Sequence, residues 1–312
     1  MVGGLMPQLN FAFPANWCFS PVEYQGCLFW PVSNNGGSEY GGYCYVYVYN
    51  GNLMWPDDIY GVGTEDVVKL IPYYTRLYSL CESWKMLKVK TALPCMWGDT
   101  FQMGPKATCY GAFDGCVHKG NLYIPISGYD PGTPIVLWRH DGAIFTSEGS
   151  LFYAPDESVR AWACGSDGEN LYFGIAGRGR GISVDTSKDG IYRRDIYTTL
   201  HHESAAKAQC FVVLPNGEVL AGCTGGAVRA RRGGAWDIIF NTGAQAVESL
   251  EVINGELWIG TSLPGKVFRV SLTTWNFQAV SGSFGEVARI GVYKGTPVVA
   301  SYESGQALIR SI

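Results

Sequence analysis

A short pattern, a glycine turn followed at once by an apolar strand, recurs along the chain and decides most of what it can become. It reads Gln25-Gly26-Cys27-Leu28-Phe29-Trp30, then Lys119-Gly120-Asn121-Leu122-Tyr123-Ile124, then Asp167-Gly168-Glu169-Asn170-Leu171-Tyr172-Phe173. Asn216-Gly217-Glu218-Val219-Leu220, Asn254-Gly255-Glu256-Leu257-Trp258-Ile259 and Lys294-Gly295-Thr296-Pro297-Val298 follow. The turn glycines lie 94, 48, 49, 38 and 40 residues apart. The first step is double, and Tyr74-Thr75-Arg76-Leu77-Tyr78 supplies a degenerate copy in its middle. A strand-turn-strand unit repeated every ~40–50 residues is the period of a β-propeller.

The turn chemistry explains the pattern. Asn-Gly and Asp-Gly accept the positive φ of a two-residue hairpin, so each marks where one strand folds back on the next. The strand before the turn is expected nearest the axis. The strand after it, such as Leu257-Trp258-Ile259-Gly260, is apolar throughout, as a strand covered on both faces must be. Units are placed at 16–60, 66–104, 107–150, 158–203, 207–243, 247–284 and 286–312. The expectation is an all-β, seven-bladed propeller of four-stranded antiparallel blades, a single domain over 1–312. The alternative is six blades with an insertion, because Leu77, Leu80, Cys81, Trp84 and Leu87 also fit helical spacing. The last unit holds only three strands, and leaving its third bare would expose a sheet edge. Segment 7–13 is the natural fourth strand, pairing with Ala307 to Ile312 and closing the ring.

Composition narrows the function. Charged residues are 16% of the chain and the formal net charge is -4. That argues against bulk nucleic-acid binding, which calls for a basic domain. The N-terminus lacks the basic and apolar regions of a secretory signal, and no apolar run is long enough to span a bilayer. Ten cysteines without such a signal read as free thiols, mostly small hydrophobes inside strands. One pair stands apart: the Asn216-Gly217 hairpin sets Cys210 opposite Cys223, where a cross-strand disulfide is geometrically demanding.

Two units carry a family pattern. Leu250-Glu251-Val252-Ile253-Asn254-Gly255-Glu256-Leu257-Trp258-Ile259-Gly260-Thr261, with Gly265 and Phe268-Arg269, resembles the two-component-regulator propeller repeat. Phe211 to Gly222, with Gly225 and Gly226, matches it more loosely. The resemblance covers roughly a quarter of the chain and implies a propeller used for sensing or binding. The Gly-His…Trp-Asp signature, the Asp box and the kelch glycine pairs are missing. In architecture and composition alone, the chain is also similar to bacteriophage tail and adsorption proteins.

Candidate site residues fall into two groups. On the top face, Trp55, Tyr60 and Tyr129 are candidates for stacking on a sugar. Arg178 and Arg180, in the loop Gly174 to Gly181, would dock an anion or a partner, against the plainer reading of a long flexible loop. His201-His202-Glu203 is read as a top loop that would suit a metal or acid–base pair, against the plainer reading of a polar cap. The pairs Asp57-Asp58, Glu65-Asp66 and Asp156-Glu157 form an acidic rim, with glycoside hydrolysis as the reactive alternative. On the opposite face, Lys88, Lys90, Arg139, Arg193, Arg194, Arg229, Arg231 and Arg232 lie near third-to-fourth-strand turns of four consecutive units. The fold would gather them into a basic arc for an acidic partner, the plainer reading being solubilising charge.

No nucleophile, metal or nucleotide motif appears, so no catalytic residue, metal or cofactor is assigned. The leading expectation is a non-enzymatic interaction or structural propeller, a virion component such as a phage tail or capsid-attached protein, bound to other subunits. A carbohydrate-binding or carbohydrate-cleaving propeller is the first alternative and a cytoplasmic sensor propeller the second. The expected location is the virion or the cytoplasm.

Overall fold

The computed structural model describes residues 9–15, 17–34, 43–60, 67–81, 87–91, 97–101, 111–128, 130–177, 187–195, 197–282 and 284–312. Among them every regular element is a β-strand, arranged in six antiparallel sheets. Five sheets each hold one repeat unit. The sixth has eight strands and holds the last two units, joined through the single pair Ser262↔Val287.

The turn pattern becomes the hairpin between first and second strands. In the fourth unit Val159–Ser166 turns at Asp167 to Asn170 into Leu171–Gly177, followed by Gly190–Arg194 and Leu200–Ser204. The second strands are the most buried: every residue of Leu171–Gly177 and of Val219–Cys223 is buried. The fourth strands are the most exposed, as in Phe145–Phe152. The described parts of the segment that also fitted helical spacing are extended, in a four-stranded sheet of Val67–Tyr73, Arg76–Cys81, Leu87–Lys90 and Gly98–Phe101; Trp84 lies outside the described residues. Two inner strands are split: Trp17–Cys18 and Val22–Tyr24 share one partner strand, and Gly111–Ala112 and Cys116–His118 share another.

The apolar core lies between sheets. Phe29, Val46 and Val48 of the first unit meet Val67, Leu70 and Leu77 of the second. Leu214, Leu220 and Val228 of the fifth meet Leu250, Leu257 and Ile259 of the sixth. Full burial of each such side chain is worth about 1.5–3 kcal/mol. The repeat's Leu-x-x-Gly ending has a steric cause here. A Cβ on Gly174 would collide with the Ala208 carbonyl, and one on Gly260 with that of Ala288, because the next unit's inner strand runs against them.

The N-terminal strand joins the last unit. Asn10–Pro14 pairs antiparallel with Gln306–Ser311, from Asn10↔Arg310 to Pro14↔Gln306, a few residues later than the expected 7–13. Residues 7 and 8 lie outside the described residues. Period-two alternation turns Phe11 and Phe13 toward the first unit. There Phe13 stacks on Tyr47 with ring centroids 3.9 Å apart, and Phe11 meets Tyr49 at 5.6 Å. Leu9, Ala15, Leu28, Trp30, Val298 and Ile309 form one cluster that packs the last unit on the first.

Candidate functional site

A cavity of about 430 Å³ lies where the inner strands converge, and residues of every unit line it. Its wall is made by irregularities in those strands. The register between first and second strands slips at Val67/Lys69, Ala161/Ala163, Ala208/Cys210 and Val247/Ser249. Each slip is a bulge that leaves one residue out of the ladder: Val68, Trp162, Gln209 and Glu248. A bulge re-aims a side chain, and all four of these line the cavity. In the two split inner strands the break has the same outcome, placing Phe19 with Ser20 and Phe113 with Asp114 on the wall.

Polar groups on this wall are organised as pairs. Lys69 Nζ lies 3.3 Å from Asp114 Oδ1. The Lys69 side chain is 40% exposed, but into the cavity rather than the outer surface. Asp114 is buried; its Oδ2 accepts from the Cys164 amide at 3.0 Å and its Oδ1 from the Gly115 amide at 2.9 Å. The Asp114 charge raises the Lys69 pKa, against the opposing effect of burial. Burial pushes the Glu251 carboxyl up, partly offset by Lys69. Arg289 donates to Glu248 Oε2 at 2.7 Å, Ser262 Oγ donates to Glu248 Oε1 at 2.8 Å, and the guanidinium lies over the Phe19 ring.

Aromatic surface and thiols complete the wall. Phe113 and Trp162 pack with centroids 4.6 Å apart, while half-buried Phe211 and Trp17 also line the cavity. The half-buried Cys116 and the buried Cys164 bring their sulfurs to 3.2 Å. The cavity therefore presents carboxylate acceptors, an ammonium donor and aromatic faces in one space. Among the described residues, no three His, Cys, Asp or Glu side chains converge as a metal site would require.

The described residues singled out from sequence lie elsewhere. Trp55 pairs with Val48 near the turn that opens strand Met54–Tyr60, and like Val22, Cys27 and Trp97 it packs against the core of Phe29, Val46 and Leu70. It is thus at the opposite strand end from Tyr60, not with it on one face; the side chain of Tyr60 is outside the described residues. Tyr129, Arg178 and Arg180 also lie outside them. His201, His202 and Glu203 do not form a loop: they belong to the outer strand Leu200–Ser204. Adjacent strand residues point to opposite faces, so the three do not converge. His201 Nε2 meets Asp195 Oδ2 at 2.7 Å, and His202 packs edge-on against Tyr192. Of the acidic rim, Asp57 is engaged by Lys90 and Trp97 and Glu157 by Ser187, while Glu65, Asp66 and the side chain of Asp58 lie outside the described residues.

The basic arc is largely matched by acids that sequence distance hid. Lys90 is fully buried, its Nζ 2.8 Å from Asp57 Oδ2, and so it lies on no rim. Glu203 accepts from Arg193 Nε at 2.6 Å and from Arg231 Nε and NH2 at 2.8 Å. Glu148 takes Arg139 at 2.9 Å and Arg194 at 3.4 Å, and Glu218 takes Arg232 at 2.7 Å. Arg229 donates to the Trp236 carbonyl, and Lys88 sits on strand Leu87–Lys90. The expected Cys210–Cys223 juxtaposition is also corrected. The bulge sets Cys210 opposite Gly222 and Cys223 opposite Ala208, and both thiols are free.

No family model and no curated protein matches the chain in sequence. Solved structures do match in shape. The extracellular domain of BT4673 from B. thetaiotaomicron is similar with a TM-score of 0.67 over 97% of this chain, at 11% identity. A second structure of that domain gives the same score at 12% identity. The two are described as parts of a one component and of a hybrid two component system, respectively. This chain spans 39% of that domain's length. The WD40 β-propeller domain of Doa1 is similar with a TM-score of 0.60, covering 98% of this chain and 96% of that one, at 9% identity. The fold is a propeller, in keeping with the repeat resemblance. Among the described residues no helix is long and apolar enough to cross a membrane.

Proposed function

We propose that the chain is a closed seven-bladed propeller, one domain, that works as a sensor-type binding module through its central cavity. The observation that carries this reading is the placement of Lys69, Asp114, Glu248 and Glu251 beside Trp17 and Phe211 around a cavity of about 430 Å³. That volume falls in the range of roughly 300–1,000 Å³ used by small-molecule sites. Carboxylates that accept from hydroxyls, next to aromatic faces, suit a small neutral carbohydrate, a mono- or disaccharide. Ring closure is supported by the Asn10–Pro14 pairing and by the cluster joining last and first units.

The finer reading as a virion component draws on architecture and composition, and no residue of the site adds to it. A docking role for the basic arc is weakened by its acidic partners. A catalytic role is not part of the proposal.

The test is a thermal-shift and calorimetric screen of the purified chain against neutral mono- and disaccharides. A ligand present at a hundred times its Kd stabilises by about 2.7 kcal/mol. Glu251→Gln and Phe211→Ala should each weaken the response. If no sugar shifts the midpoint, or if these variants leave a shift unchanged, the cavity is not the sugar site.

A further inference from the structure

Cys116 and Cys164 stand apart from the other thiols. They sit on inner strands of neighbouring units, Cys116–His118 and Val159–Ser166, yet their sulfurs are 3.2 Å apart. Both line the central cavity. No ladder bond runs between these two strands: Cys116 pairs with Tyr123 and Cys164 with Phe173, each inside its own sheet. A disulfide needs its sulfurs at about 2.05 Å. The remaining gap lies within reach of rotation about the two Cα–Cβ bonds. Cys44 is held by the Val32 carbonyl and the Val67 amide, and Cys210 points at the Val247 carbonyl.

We propose that Cys116 and Cys164 are a reversible dithiol–disulfide site, oxidised by a low-molecular-weight disulfide that enters the cavity. The two thiols have distinct roles. Cys116 is the less buried and meets the incoming disulfide first. Burial, with contributions from Cys116 and Asp114, raises the Cys164 thiol pKa. It therefore attacks second, once its target sulfur is already bound beside it.

The steps balance as follows. Cys116 loses its proton and its sulfur attacks one sulfur of the small disulfide, forming a mixed disulfide and releasing the first small thiolate, which takes up that proton. Cys164 then loses its proton, its sulfur bonds to Cys116 Sγ, and the bond from Cys116 to the small thiol breaks. The second small thiolate leaves and takes the second proton. Two protein thiols are oxidised and one small disulfide is reduced to two thiols. The new bond would tie the third and fourth units together on the cavity wall. It rests on the thiol geometry alone and does not depend on the sugar reading.

The experiment treats the full chain with oxidised glutathione and maps disulfides by mass spectrometry, all ten cysteines included. The expected result is a linked Cys116–Cys164 peptide, loss of two titratable thiols, and full reversal by dithiothreitol. In Cys164→Ser the reaction should stop at Cys116 carrying one glutathione; in Cys116→Ser no linked peptide should form. If the wild-type chain yields no Cys116–Cys164 peptide in fully oxidised glutathione, the proposal fails, whatever the variants do. It also fails if Cys164 is linked to Cys210 as readily as to Cys116.

Discussion

Replacing Glu203 with alanine should destabilise this fold by a readily measured amount. Glu203 is 7% exposed and holds three donors from two units: Arg193 beside it, and Arg231 and Trp236 from the next sheet. Its removal takes the carboxylate partner from two guanidinium groups, of which Arg193 keeps a bond to Asn170 Oδ1, and the acceptor from an indole N–H. Breaking a buried ion pair typically costs about 3–5 kcal/mol. The arginine side chains are 21% and 23% exposed, so water recovers part of that loss. A range of ~2–4 kcal/mol is the resulting expectation, with the pairing discounted for solvent. Unfolding entropy near 2.1 cal/mol/K per residue gives about 0.65 kcal/mol/K for this length, so the midpoint should fall by ~3–6 °C. Calorimetry at pH 7 measures it, and Glu203→Gln, which keeps an acceptor but loses the charge, should fall in between. A double-mutant cycle with Arg231→Ala isolates the coupling. A fall of less than about 1 °C for Glu203→Ala would refute the claim that this carboxylate clamps the two units.

The same carboxylate predicts a pH dependence. Burial pushes the Glu203 pKa up, but the bonds from Arg231, Arg193 and Trp236 outweigh it and hold the pKa below its usual 4.5. Its contribution is therefore complete above pH 4.5 and fades as pH falls through the lowered value; Glu203→Ala should lack this part of the acid transition in a pH series of melts. Glu251 has the opposite sign, since burial raises its pKa. Glu251→Gln should thus raise the midpoint at pH 8, and the gain should shrink as pH is lowered, which paired melts would show. Gly260→Ala drives a Cβ into the Ala288 carbonyl, a backbone atom that cannot step aside. Overpacking of this kind costs about 1–3 kcal/mol, and an unchanged denaturation midpoint would contradict the close approach. Deleting residues 1–14 removes the strand on Gln306–Ser311 and the Phe13–Tyr47 stack, so the truncated chain should unfold well below the intact one.

Much of the architecture was legible because hairpins announce themselves. Asn216-Gly217 and Asn254-Gly255 can hardly be anything but tight turns, and the apolar runs after them fit only strands covered on both faces. Segment 74–90 was ambiguous because Leu77, Leu80 and Leu87 satisfy both periods; Met86 to Lys90 alternates, and the sheet prevailed. The site was far less legible. Bulges at Val68, Trp162, Gln209 and Glu248 have no residue signature, since an inserted position looks like any other strand residue. Ion pairs such as Arg231–Glu203 and Lys90–Asp57 join residues 28 and 33 positions apart, so charges counted along one strand looked unpaired. His201-His202-Glu203 was misplaced because a polar run reads as a loop, whereas a fourth strand facing solvent is equally polar.

The bulges also bear on how such a scaffold can change. A residue that is outside the ladder contributes little to holding its sheet together. Val68, Trp162, Gln209 and Glu248 can therefore be replaced with small effect on strand pairing, while each replacement rewrites part of the cavity wall. At half-buried Gln209 affinity can drift with little cost to the fold, whereas Trp162, packed on Phe113 and donating to the Gly177 carbonyl, and Glu248, paired with Arg289, tie binding to stability. A library confined to Gln209 should accordingly stay folded in most members and differ chiefly in what it binds.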